Sequence, residues 1–234
     1  MINLSQKDLE QLQRKGVSQE KVNNQIATFK AGIPFVNLVK AAIVSDGILQ
    51  FSEEEQAEKI AYFEGARGDL ELLKFVPASG AASRMFKATF NFLDAFDPSK
   101  ESLESYLERT GDDAMKKFIQ GMEALPFYGL IMDRIQGKAA SKDEEAYLFV
   151  KEMLVADGLN YGVYPKGLLP FHRYGEVGAT PFEEHLKEAA LYAKTDGKAN
   201  LHFTISEQHD AMFKAEHASA GPRVSKNTNT EFNV

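Results

Sequence analysis

The chain has 234 residues, long enough for one α/β domain or a domain plus a helical appendage, and its 44% hydrophobic and 26% charged residues are ordinary for a soluble globular protein. A net charge of −7 argues against the basic face that nucleic-acid backbones require, and no run reaches the roughly eighteen apolar residues of a membrane helix. The absence of cysteine excludes disulfides, thiolate metal sites and cysteine nucleophiles, and with no signal-peptide layout at the N-terminus a cytoplasmic protein is expected.

Residues 1–70 read as a helical N-terminal extension. Ser5-x-x-Asp8 caps a run ending at Gly16, and Ser18 opens a second ending at Gly32, with Val22, Ile26 and Phe29 on one face. Phe35, Leu38, Val39, Ala42 and Ile43 continue the helical spacing after Pro34. Ser52-Glu-Glu-Glu55 is a capping box that predicts a helix to about Gly65.

Residues 71–234 read as an α/β domain. A short apolar strand begins at Leu72 and meets the small-residue turn Ala78-Ser-Gly-Ala-Ala-Ser83; helical spacing resumes at Arg84 and runs to Phe96. A helical insertion over about 97–160 follows, with segments near 100–109, 112–123, 127–136 and 142–157. Thr180-Pro-Phe-Glu183 has the order of a helix start and predicts a helix to Lys194. Residues 200–206 alternate as a second strand, Ser206 caps a helix to Ser219, and a third strand begins at Glu231. Three strands are few for so many helices, so the chain is expected to be the N-terminal part of a longer protein, truncated at its C-terminus.

The turn carries the chemistry. A strand that delivers its C-terminal end to a helix N-terminus presents unpaired N–H groups and a positive dipole end. Small residues from Pro77 through Ala78, Ser79, Gly80, Ala81 and Ala82 let an anion approach that backbone, while Ser83 adds a hydroxyl and Arg84 a guanidinium. The alternative is a tight turn of small residues that serves packing alone. A Walker A loop is excluded because no Gly-Lys-Ser/Thr follows Gly80, and a dinucleotide fingerprint because the turn has one glycine.

Pro77-Ala-Ser-Gly-Ala-Ala-Ser-Arg-Met85 resembles the first signature of the sugar-phosphate nucleotidyltransferase superfamily, Ala-Ala-Gly-x-Gly-Thr/Ser-Arg-Met/Leu. Pro165-Lys-Gly-Leu-Leu-Pro170 resembles its lysine motif, and Thr180-Pro-Phe-Glu-Glu-His185 the helix start beyond it. The whole string from Val76 to Met85 is similar to that of an uncharacterised bacterial family, domain of unknown function 4301. The resemblance implies a Rossmann-like, GT-A-like and mostly parallel sheet. It implies nucleotide binding by residues 77–84, with Arg84 and Lys166 as catalytic cations. The implied reaction uses a nucleoside triphosphate and magnesium (Mg2+) and transfers the nucleotidyl group to a phosphorylated sugar or similar small molecule. A protein that only binds a nucleotide or sugar phosphate is the alternative. Four departures stand out: Ala82 replaces the second glycine, Phe86 and Lys87 follow Met85 where the pattern has a proline two residues on, Lys166 comes 81 positions after Met85, and no metal-binding aspartate can be placed.

The five histidines all lie in the last third of the chain, and His202, His209 and His217 do not have recognised metal-ligand spacing. Phe86, Phe90, Phe92 and Phe96 read as core, and the acidic runs at 53–55, 112–113 and 143–145 as charges at helix starts.

Overall fold

The structure is a computed structural model that describes residues 3–175 and 177–234. The chain divides into two compact units, Met1–Glu58 and Lys59–Val234.

The helices of the first unit are set by local caps. In α1 (Gln6–Arg14) the Ser5 hydroxyl accepts from Asp8 N–H at 3.3 Å, and Asp8 Oδ2 accepts from Ser5 N–H at 2.8 Å. Ser18 caps α2 (Gln19–Ala31) in the same way at 3.1 Å. The expected helix around Phe35 does not form. Residues 33–42 are irregular, Phe35 and Val39 are fully or almost fully exposed, and only the two-residue strands β1 (Ile43–Val44) and β2 (Gly47–Ile48) follow. An amphipathic helix gains most of its stability from packing its apolar face, and the apolar side chains Phe35, Leu38 and Val39 stay exposed. The Ser52–Glu55 capping box then opens α3 (Glu53–Ala66).

In the second unit β3 (Leu73–Pro77) leads into a helical segment: α4 (Lys87–Ala95), α5 (Leu103–Thr110), α6 (Asp113–Gly121), α7 (Tyr128–Ile135) and α8 (Lys142–Leu154). Ser102, Asp112 and Ser141 cap three of these starts. Their inward faces build a core of their own. Phe92 and Phe149 are fully buried, and Phe92 lies 4.7 Å from Phe96 and edge-on to Tyr106 at 5.2 Å, measured between ring centroids. The expected insertion is therefore a packed helical layer, which also takes in Ala82, Phe86, Tyr161 and Leu169.

The chain then forms a small antiparallel ladder, β4 (His172–Tyr174) with β5 (Val177–Ala179), followed by α9 (Pro181–Tyr192), β6 (Lys194–Thr195), β7 (Lys198–Thr204), α10 (Asp210–Thr228) and β8 (Glu231–Asn233). β7 is the hub of a four-stranded sheet. It pairs in parallel with β3, from Leu73 opposite Asn200 to Pro77 opposite Thr204, and in parallel with β8; β6 pairs antiparallel with its first two residues. Asp196 and Gly197 join β6 to β7 with φ of 49° and 76°, the left-handed pair that a two-residue hairpin requires. α10 continues nine residues past the expected end and through Pro222, because Val224 is buried in the sheet layer's core.

The expectation of a Rossmann-like, GT-A-like and mostly parallel sheet is overturned. Among the described residues 57% are helical and the sheets have two to four strands. One face of the four-stranded sheet packs Val76, Ala199 and Leu201 toward helices α9 and α10, which contribute Phe182, Leu186, Phe213 and Val224. The other face carries Leu73, Phe75 and His202, all exposed, with the Phe75 and His202 rings stacked at 5.5 Å. A doubly wound sheet needs helices on both faces, and among the described residues of the second unit helices pack on one.

Candidate functional site

β3 and β7 run in parallel and end together at Pro77 and Thr204. The ladder is extended one step by Ala78 N–H donating to Thr204 C=O at 2.9 Å, after which the chain turns through Ser79 and Gly80. Here it meets a segment distant in sequence. Lys166 N–H donates to Gly80 C=O at 3.0 Å, and Ala81 and Pro165 form an isolated antiparallel bridge. The two loops are clamped from both sides. Ala82 and Leu169 are buried in the helical core, while Ala78 packs against the sheet core and Leu168 is buried within it.

The clamp leaves a cleft of about 220 Å3 beyond the carboxyl ends of β3 and β7, the end of a parallel pair at which ligands usually bind. Val76, Pro77, Ala78 and Gly80 line it from the first loop, and Lys166 and Gly167 from the second. Pro181, Phe182 and His185 come from the start of α9, with Phe203 and Phe213 completing an aromatic floor. The Phe182 and Phe203 rings lie 4.7 Å apart, and Phe213 stands edge-on to Phe182 at 5.9 Å. Gly167 lies close over that floor: a Cβ there would come within 3.3 Å of Phe213 Cζ. At Gly80, by contrast, an added Cβ would meet nothing.

The electrostatics are local. The cleft wall contains Lys166 and His185 but no Asp or Glu, in a chain whose net charge is −7. Lys166 is exposed and has no ion-pair partner among the described residues. An ammonium without an ion-pair partner beside open backbone is an attractive seat for an anion.

Residues 5–234 match the family described as Domain of unknown function (DUF4301). The chain belongs to that family. No curated protein and no solved structure matches it.

Within this DUF4301 chain the expected site residues are distributed unequally. Pro77, Ala78, Gly80 and Lys166 line the cleft together. Ser79, Ala81, Ser83 and Arg84 are exposed and lie outside the cleft wall, and Ala82 is 2% exposed and belongs to the helical core. The turn does not feed directly into an α-helix as expected. A three-residue 3-10 turn, Ala82–Arg84, intervenes, and α4 begins only at Lys87 with no side-chain cap. Burial of Ala82 and Phe86 draws the chain into the helical core before regular helix can start. A helix dipole therefore does not point at Gly80, and the clamped loop and Lys166 remain as the anion-facing groups.

The start of α9 lies where Thr180 to Glu183 predicts it, but its ties to other elements were not legible in residue patterns. The Thr180 hydroxyl accepts from Glu183 N–H at 3.2 Å and donates to Glu216 at 2.7 Å, which ties the helix start to α10. Glu183 is 2% exposed and accepts two hydrogen bonds from Arg223, at 2.9 and 2.7 Å. Burial pushes its carboxyl up, but Arg223 and Lys187 together outweigh that and hold it below the usual carboxylate range. This ion pair fixes the turn of helix that places Phe182 and His185 in the cleft. One turn further on, Glu188 pairs with His185 and with Lys74 of β3. The His185–Glu188 spacing of three was the available signal, but an imidazole and a carboxylate three apart also describe an ordinary solvated helix face.

Proposed function

We propose that the cleft binds a phosphorylated ligand of the nucleoside triphosphate class, with the phosphates at Gly80 and Lys166. One observation carries this reading: two loops whose key residues lie 86 positions apart are hydrogen-bonded into a single cleft whose wall, among the described residues, has an ammonium without an ion-pair partner and no carboxylate. The volume of about 220 Å3 is below the roughly 300–1,000 Å3 of sites that enclose a whole drug-sized ligand, so the cleft takes part of a nucleotide and leaves the rest in solvent. In this reading Arg84, which is exposed and has no ion-pair partner among the described residues, is assigned to that outer part.

The reaction implied by the motifs is nucleotidyl transfer. A phosphate oxygen of a phosphorylated sugar, or of a similar small molecule, attacks the α-phosphorus. One P–O bond forms, the α–β bridging bond breaks, and pyrophosphate leaves. Such transfer depends on positioning and on neutralising oxygens with cations, the part assigned to Lys166 and Arg84. Magnesium does not fit the cleft wall as built, because that wall offers no carboxylate, and no step is routed through it. The same observation favours a second reading, a protein that binds a nucleotide or sugar phosphate without turnover.

Calorimetry with nucleoside triphosphates tests the binding. Lys166→Ala should weaken affinity by roughly tenfold or more, the loss expected for one charge-assisted contact. Gly80→Val should fold normally, because its Cβ meets nothing and its φ is not in the left-handed region, yet block the cleft. Unchanged affinity in both variants would exclude the cleft as the site. Pyrophosphate release with phosphorylated sugars then separates the two readings, since the binding protein releases none.

A further inference from the structure

The imidazole of His185 is held by more than its own helix. Its Nδ1 lies 3.0 Å from Glu188 Oε2. Glu188 is also hydrogen-bonded to Lys74 Nζ, and Lys74 donates in turn to the Tyr192 hydroxyl at 2.7 Å. The Lys74 ammonium holds the Glu188 carboxyl below the usual range, more than burial raises it, and His185 adds to the effect. Glu188 is therefore ionised at neutral pH and can only accept hydrogen bonds. Nδ1 must then carry a proton and donate it, which leaves Nε2 as the nitrogen without a protein partner among the described residues. His185 lines the cleft.

The other charged groups nearby are already occupied. Glu184 accepts from the Tyr174 hydroxyl at 2.6 Å, and Lys187 is paired with Glu183 and Glu184. From α10, Arg223 is taken by Glu183 and Glu216 by Thr180. β7 offers a ring, Phe203, edge-on to the imidazole at 6.1 Å. Lys166 lines the same cleft and carries a like charge to a protonated imidazole, so two cations there are comfortable only with an anion between them.

We propose that His185 is a second ligand-contacting group of the cleft, a proton-gated arm that donates from Nε2 to a phosphate oxygen once the imidazole is doubly protonated. This rests on the reading of the cleft as a phosphate site. A neutral imidazole with its proton on Nδ1 offers a phosphate only a lone pair, which an unprotonated phosphate oxygen, the form present at mildly alkaline pH, cannot use. Binding therefore draws a proton from solvent onto Nε2, and release of the phosphate returns it. Lys74 offsets the charge of Glu188, so the pair that orients the ring does not repel the ligand. Glu188 is a positioning residue and His185 the contact.

Proton uptake is the readout that a merely structural histidine would not give. The intact chain is titrated calorimetrically with inorganic tripolyphosphate and with a nucleoside triphosphate, at mildly alkaline pH, in two buffers of different ionisation enthalpy. The wild-type should bind both ligands, with a buffer-dependent heat that reports net proton uptake. His185→Gln should lose that uptake and bind roughly tenfold more weakly. Glu188→Gln should fall between the two. Nitrogen-15 spectra of the wild-type imidazole should move from the Nδ1-protonated tautomer to the doubly protonated form on saturation, a measurement that does not depend on any variant folding. Binding without uptake, or an undiminished affinity in a folded His185→Gln, would overturn the role of His185 and leave the cleft intact. If neither ligand binds the wild-type, the phosphate reading fails and this inference with it. Uptake with the nucleotide but not with tripolyphosphate would also overturn it, because the proton would then answer to the nucleoside.

Discussion

The helical layer and the sheet layer of the second unit use their polar groups differently. Both bury apolar cores, and the rings of Phe92, Phe96 and Tyr106 in the first are matched by Phe182, Phe203 and Phe213 in the second. In the helical layer those rings close on one another. In the sheet layer they form the floor of an open cleft. Among the described residues the buried polar side chains are Thr89, Thr180, Glu183, His209 and Thr230, and only Thr89 belongs to the helices that form the first core. Burying a polar group costs free energy unless it is paired. Thr180, Glu183 and Thr230 in the sheet layer are hydrogen-bonded, and this is the region that carries Lys166's neighbours and His185.

The sharpest way to break the contrast is to damage the closed core and watch the cleft. Phe149 is fully exposed to neither solvent nor cleft: it is 0% exposed and packs against Phe118 and Tyr128. Phe149→Ala should cost about 3–5 kcal/mol in urea unfolding. Affinity for a nucleoside triphosphate, measured where the variant is still folded, should be unchanged. A parallel loss of affinity would mean that the helical layer shapes the cleft directly.

A smaller effect is expected at Glu183→Gln. The bidentate pair with Arg223 is lost, but the Arg223 side chain is 51% exposed and its freed charge can be hydrated. A loss of about 1–2 kcal/mol follows, of the order of one hydrogen bond to a charged group. Because this pair fixes the first turns of α9, the variant should also weaken ligand binding, which Phe149→Ala should not. Equal affinity in the two variants would remove the link between Glu183 and the cleft.

How much of this was legible in the sequence follows from the range over which each feature is determined. The caps at Ser5, Ser18, Ser52, Ser141 and Thr180 are decided within four residues and form the predicted hydrogen bond, whereas Ser206 makes no cap bond and α10 starts at Asp210 after a 3-10 turn. The strands expected at Leu72, residue 200 and Glu231 are present as Leu73–Pro77, Lys198–Thr204 and Glu231–Asn233. The Phe35 run shows the limit of periodicity, since helical spacing gave no helix and the apolar side chains stay exposed. The sheet's architecture was out of reach for a different reason. Leu73 pairs with Asn200, and nothing local to either states how many strands lie beside them or which face is covered. The motif resemblance filled that gap with a larger sheet than the chain builds. At the site, the two loops were legible as small residues and a lysine motif. Neither the burial of Ala82 nor the His185–Glu188–Lys74 chain was, because each depends on elements that meet only in the folded chain.

Acid titration separates the layers by the smallest of these effects. The carboxyls of Glu183 and Glu188 are both held below their ordinary range in the folded protein. A depressed carboxyl stabilises the fold fully above its unfolded value, about 4.3 for glutamate, and that contribution is lost as pH falls through the folded value. The helical layer has one comparable group, Asp97, which is held down to about 2 by Lys100 and Ser99 but lies at the surface. The urea midpoint of the wild-type should therefore fall between pH 5 and pH 3 by more than that of Glu183→Gln, which lacks the titrating carboxyl, while Asp97 contributes equally to both. Phe149→Ala removes no charge, so its deficit against the wild-type should be the same at either pH. A pH-dependent deficit in Phe149→Ala would show that the two layers do not keep their electrostatics and their packing apart.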